Sequence, residues 1–422
     1  MALSQIDEKQ ELPAEIAVSK FLSFVGDDVL LDIFYRLPHY RAVIQCSIVC
    51  KRWFSVINSN SDEFFQYHNH ERSSSDQYSS TYFPSCTLLL YLTKNNDQPV
   101  YLKCLDTSNV GFISTITTST TTFLDFLPWP DHEVAIMASL DDLFLVSRKC
   151  NPRLFCICNP LTKKWIVLPE APRDRLRRGL LRDYRRRYRV VLLDVRPNEF
   201  NVVYYATVFR SETGQWSELT YYHGGREPVY PVSHKIFHGH VDQFQGVCTS
   251  DGSLHWLRRH KVLIFNLCKA RPHWITLPEN FGRGMMRAAG ESARLGVVRG
   301  RLRLLEMYKW GLFGFALKVW ELSDDNEDWI LVHDRVKWVA SMANMMHVLA
   351  FHPHNGDEIF LARKFDICLY NIREDTYKKL GEYPKVSDEG IMISMFLTGT
   401  FTLVHPLCPT SLFALPSIQS QI

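Results

Sequence analysis

The sequence predicts a mainly β protein that carries a small N-terminal α module and, behind it, a β-propeller of about six blades. Three observations lead there. A local pattern of apolar strand, polar turn and second strand, the latter often opening on Trp and closing on Leu-Pro, recurs with turns at Asp106, Asn159, Arg210, Asn266, Glu321 and Asn371, at steps of 53, 51, 56, 55 and 50 residues. Residues 24–57 show helical apolar spacing instead. The 422 residues, 46% hydrophobic and 13% aromatic, can furnish the core of one large or two ordinary domains. The expected boundaries are a flexible N-terminus over 1–20, a helical module over 21–58, a linker over 59–85, the propeller over 86–415 and a tail over 416–422.

The opening "MALSQIDEKQELPAEIAVSK" is acidic and has no long apolar run, so no cleavable secretion signal is expected and the protein is placed in the cytoplasm, the nucleus or both. Three short helices follow. In the first, Val29, Leu30, Ile33, Phe34 and Leu37 form an apolar stripe opposite Asp28, Asp32 and Arg36, with Asp27 as N-cap and Pro38 as stop. A second covers 40–46, and a third runs from Ser47 with Val49, Trp53, Val56 and Ile57 on one stripe and Cys50, Phe54 and Ile57 on another. A unit this short buries too little of its own surface to stand alone, and each large side chain covered gains about 1.5–3 kcal/mol. The segment therefore reads as one half of an interface.

These residues also carry a resemblance. Asp28-Val29-Leu30, Ile33, Leu37-Pro38, Val49-Cys50-Lys51, Trp53 and Val56-Ile57 resemble an F-box in order and spacing, although Val25-Gly26 stands where a first Leu-Pro is usual. The resemblance implies docking on the Skp adaptor of a cullin-RING ubiquitin ligase, with Val25, Leu37, Pro38, Ile44, Val49 and Trp53 as adaptor contacts.

The stretch that follows holds six serines in 73–85 and no sustained periodicity, which makes it a linker, though Phe64, Phe65 and Tyr67 could dock on a neighbouring surface. Beyond it come the repeats, clearest in "FCICNPLTKKWIVLPE", "TVFRSETGQWSEL", "LIFNLCKARPHWITLPE", "LKVWELSDDNEDWILV" and "ICLYNIREDTYKKL", with a weaker one from Val100. Most follow another strand set off by a turn, so each repeat makes a small antiparallel sheet, and a period near 50 residues marks a propeller blade. Ring closure is expected to draw on strands from 86–92 and 395–412, and Trp165, Trp216, Trp274 and Trp329 are read as inter-blade packing residues. Spacing and sentence resemble degenerate kelch-type repeats and the C-terminal domain of plant F-box proteins.

Candidate chemistry is sparse. The eleven cysteines lack paired CxxC spacing and read as buried free thiols; the pairs His238/His240 and His352/His354 lack a third ligand, so neither metal nor cofactor is expected. No phosphate-binding glycine loop, GxSxG or HExxH occurs. The uncharged tail after Glu389 is interrupted by Pro406, Pro409 and Pro416, so no membrane anchor is expected. The run "RDRLRRGLLRDYRRRYR", 173–189, has nine arginines against two aspartates. It reads either as a solvated inter-blade loop or as a site for an acidic target, with Arg177, Arg178, Arg185, Arg186 and Arg187 as target-binding candidates.

Together the resemblances imply a non-catalytic substrate-recognition subunit of an SCF-type ubiquitin ligase. Its partners would be the Skp-type adaptor, through it a cullin and a RING protein, and an unidentified target. Nucleic acid is not expected as a partner. The alternative is a nucleic-acid- or chromatin-associated scaffold that uses the 173–189 segment.

Overall fold

The computed structural model describes residues 25–37, 43, 46, 49–60, 64, 86–94, 98–106, 124–130, 133–182, 187–197, 201–224, 246–258, 261–267, 272–281, 292–310, 314–323, 325, 328–338, 346–363, 366–382, 397–406, 410 and 412. The chain divides into two compact units, Met1–Tyr82 and Phe83–Ile422. None of the helices among these residues is long and apolar enough to cross a membrane.

The first unit holds two helices among the described residues, α1 (Asp27–Tyr35) and α2 (Lys51–Ser59), rather than the expected three. Of the middle stretch over 40–46 only Val43 and Cys46 are described, both helical. Gly26, not Asp27, occupies the N-cap of α1, which leaves Asp27 free to accept a 2.8 Å bond from Arg52 Nε on α2. The last helix starts at Lys51 and not at Ser47, because Cys50 is extended and its Sγ caps Trp53 N at 3.5 Å. Leu30, Phe34, Val43, Val56, Ile57 and Phe64 form the core. Phe64 lies in the expected linker, yet it is buried against Phe34 and Tyr35, with ring centroids 6.2 and 4.4 Å away.

The second unit begins with β1 (Cys86–Lys94) and β2 (Gln98–Asp106), an antiparallel hairpin. Five four-stranded antiparallel sheets follow. The first blade is β3 (Val134–Leu140), β4 (Leu143–Arg148), β5 (Asn151–Asn159) and β6 (Lys164–Val167). The second is β7 (Arg177–Arg182), β8 (Tyr188–Pro197), β9 (Asn201–Arg210) and β10 (Gln215–Gly224). The third is β11 (Val247–Cys248), β12 (Ser253–Arg258), β13 (Lys261–Asn266) and β14 (His273–Thr276). The fourth is β15 (Ser292–Val298), β16 (Arg301–Trp310), β17 (Gly314–Leu322) and β18 (Trp329–Trp338). The fifth is β19 (Met346–Phe351), β20 (Glu358–Arg363), β21 (Asp366–Asn371) and β22 (Thr376–Glu382). The last strand, β23 (Leu397–Val404), returns to pair with β1, Cys86 opposite Val404.

Among the described residues the propeller thus has five four-stranded blades, and the expected count of six is corrected. The weak repeat from Val100 builds no blade of its own; it enters a three-stranded sheet, β2-β1-β23, made from both ends of the domain. The first strand of each blade neighbours the first strand of the next, and β23 lies between β19 and β3. Apolar side chains fill each gap between consecutive sheets, as where Leu145, Phe155 and Ile157 of the first blade meet Leu180, Val190 and Phe209 of the second. Both faces of a blade are covered, which is why strands such as "NVVYYATVF" do not alternate. Close approach is enforced at Gly296, where a Cβ would come within 2.4 Å of Phe351.

The recurring sentence has a mechanical explanation. Asn159 opens the turn after β5 and its Oδ1 accepts from the backbone N of Leu161 and Thr162; Asn371 does the same for Arg373 and Glu374 after β21. The turns end on a residue of positive φ, Lys163 at 53° and Asp375 at 58°. In the second and fourth blades the Trp after the corresponding turn binds the Leu-Pro region of the preceding blade: Trp216 Nε1 donates to Pro169 O at 2.7 Å, and Trp329 Nε1 to Thr276 O at 2.8 Å.

Candidate functional site

The helical unit buries one side of each helix and leaves apolar side chains on the other. Val29 (47% exposed) and Ile33 (38%) lie one turn apart on α1, while Val49 (62%) and Phe54 (47%) flank the start of α2. Four apolar side chains are thus exposed on a small unit. Of the expected contacts, Val49 is exposed, whereas Val25, Leu37 and Trp53 are partly buried against the core; Trp53 packs edge-on to Phe34 at 5.2 Å. Pro38 and Ile44 lie outside the described residues. The sequence spacing places Val29 and Ile33 on the packing stripe of the first helix and Phe54 on a second stripe of the last; only for the last helix, with two apolar stripes, does the sequence signal exposure. Arg52 ties the two helices together through Asp27 and through the carbonyl of Val25.

The arginine run is only partly a loop: 173–176 and 187 lie outside any strand, and the rest of its described part is strand. Its middle, Arg177–Arg182, forms β7 and its end enters β8. Most of its charges meet acids from other strands or turns: Arg173 and Arg175 reach Glu218, Arg178 reaches Asp174 at 2.8 Å, Arg182 reaches Asp141, and Arg187 and Arg189 reach Glu212. Arg175 is buried, donates to Thr207 Oγ1 at 2.8 Å and lies over the Tyr205 ring. Arg177 is buried without such a partner. Arg185 and Arg186 lie outside the described residues.

The other candidates are structural where they are described. His352 Nδ1 accepts from the backbone N of His354 and Asn355, shaping the turn before β20, and its ring stacks on Phe360. His238 and His240 lie outside the described residues. Among the described residues no group of three or more His, Cys, Asp or Glu could hold a metal ion. Burial pushes the Cys156 thiol up to about 12 and Cys158 well above its ordinary value, so both stay protonated and inert.

Comparison with known proteins agrees with this division. An F-box-like family model matches residues 27–62, and the model described as F-box protein At3g26010-like, beta-propeller, matches residues 115–399. No curated protein matches the chain. With an F-box-like module ahead of a propeller that the second model spans over more than half of its length, the chain belongs to the At3g26010-like family of F-box β-propeller proteins.

Proposed function

We propose that this protein is the substrate-recognition subunit of an SCF-type ubiquitin ligase. The F-box-like helices hold the Skp-type adaptor, which links to a cullin and a RING protein, and the propeller holds a target. The contribution is positioning: a bound target stays at high effective concentration near the ubiquitin-charged enzyme, and this chain forms no covalent intermediate. Such work lies in the cytoplasm or nucleus.

The observation that carries the reading is the exposed apolar set Val29, Ile33, Val49 and Phe54 on a module matched by an F-box-like model. A second chain that covers four such residues recovers about 1.5–3 kcal/mol for each fully buried side chain. The test is co-purification with a Skp-type adaptor. Wild type is expected to capture it, and Val49→Asp with Phe54→Asp to lose it while melting normally, since both positions are exposed. Undiminished capture by the folded double variant would remove the proposed surface.

The nucleic-acid scaffold has less support. Its motive was an unpaired basic run, and the described arginines of that run are largely taken up by Glu212, Glu218, Asp141 and Asp174.

A further inference from the structure

Between the second and third blades the apolar core of Leu181, Val191, Tyr204, Leu254, Trp256 and Leu263 ends in cations. Arg177 opens β7 and shares a strand face with Gly179 and Leu181. Gly179 abuts Leu254 of the third blade, so this face points there. From the opposite side, Arg258 closes β12 and Lys261 opens β13, paired across their turn; each is two residues from a side chain of the same core, Trp256 and Leu263. Arg178 O accepts from Gly246 N at 2.8 Å and from Trp256 Nε1 at 3.3 Å, which pins the start of β7 against the third blade. The Arg258 guanidinium rests over the Trp274 ring, 5.9 Å from its centroid.

Arg177 is the anomaly. It is only 6% exposed, yet among the described residues it makes no hydrogen bond and no ion pair. None of its nitrogens is sealed from solvent, unlike Nε of Arg178. Burial depresses its pKa to about 10, and Arg258 adds repulsion, opposed by Asp194 and Tyr204. A desolvated guanidinium facing a second one is costly in the absence of an anion. An arriving anion relieves both penalties, and a planar carboxylate matches the fork of an arginine. Asp194 already supplies part of the compensating charge, which favours a single negative charge over a dianion.

We infer that Arg177 and Arg258 receive an acidic side chain, a carboxylate borne on an extended peptide of the target protein, at the end of the propeller where β7 begins. This rests on the reading of the propeller as the target-holding domain. The probe is fluorescein-labelled hexaglutamate, followed by anisotropy with the full-length protein. Wild type is expected to bind it, to release it as salt rises and to ignore hexaglutamine; Arg177→Gln and Arg258→Gln are each expected to bind about tenfold more weakly or worse. Arg177→Met is expected to leave the ligand-free melting temperature unchanged or raised, because it removes an uncompensated buried charge, and to abolish the shift that hexaglutamate produces in wild type. Failure of wild type to bind, wild-type affinity in both Gln variants, or Arg177-dependent binding of a phosphoserine peptide but not of hexaglutamate would each overturn the assignment. Adaptor capture by wild type is measured in parallel: its absence alongside Arg177-dependent peptide binding would sink the ligase reading and leave the site standing.

Discussion

His255 shows how a single buried side chain ties stability to pH. It sits in β12 at 1% exposure, its ring close to the backbone of Val247 and Ser253. Burial pushes its pKa down to about 4, against the pull of Asp251. His352 and His354 are likewise pushed down to about 4, chiefly by burial, with His354 adding repulsion against protonation of His352 and Arg299 against that of His354. A histidine whose folded pKa lies below its unfolded value binds more protons when unfolded. The stability it confers is complete above the unfolded pKa, about 6.5, and is lost as pH falls toward 4. Urea melts across this window are expected to show falling stability, and His255→Leu to flatten the slope by about one proton's worth. An unchanged slope would mean that the ring is already protonated in the fold.

At the level of elements, the strand-turn-strand repeat was legible because its chemistry is local. The Asn that opens a turn, the positive φ that closes it and the Trp that follows lie within a few residues of one another. Lys163 holds a φ of 53°, strained for a side-chain-bearing residue, so Lys163→Gly is expected to raise stability by about 0.5–1 kcal/mol in chemical denaturation. The same sentence has different weight in different blades. Trp216 donates to Pro169 and packs on Phe155 and Phe209, whereas Trp165 is exposed. Trp216→Phe is expected to cost about 1 kcal/mol or more, and Trp165→Phe less than about 0.5; equal losses would contradict the inter-blade role of the Trp216 bond. What the sequence hid were features set by distant chain. The arginine run looked like a loop because its acids, Glu212 and Glu218, lie well along the chain in the turn before β10 and in that strand. Phe64 falls in the expected linker as an aromatic that could dock, but nothing local shows that Phe34 and Tyr35 are the surface it closes on.

For the whole molecule, the closure of the ring decides cooperativity. Strands from both ends were expected to meet, and β1 with β23 do; the weak first repeat could not be told from a blade because its partner strand lies nearly 300 residues onward, Leu102 and Phe401 flanking β1. The chain then adds a clasp beyond β23. His405 Nε2 lies 2.7 Å from Thr87 Oγ1, and Thr410 reaches back to the turn between β3 and β4, where the buried Asp142 accepts from its N and Oγ1 at 2.5 and 2.6 Å. Asn159 Nδ2 completes the clasp by donating both to Asp142 Oδ2 and to Thr410 O. Asp142 thus joins the C-terminal segment to the first blade through charge-assisted bonds, each worth about 1.5–3 kcal/mol. Asp142→Ala leaves Thr410 and Asn159 short of an acceptor, and is expected to cost about 2–4 kcal/mol and to lower the melting temperature by several degrees. Thr410→Val keeps the backbone bond to Asp142 but removes the hydroxyl's bond to Asp142 and the one it accepts from Arg182 Nη1, and is expected to cost about 1–2 kcal/mol. The two losses are expected not to add in the double variant, since both act on one clasp. Removing residues 397–422 takes away β23 with the clasp, exposes the edges of β1, β3 and β19 and is expected to replace a single unfolding transition by a broad one. A sharp, wild-type-like melt for that truncation would show that the five four-stranded blades hold together as an open arc, with β23 dispensable to the fold.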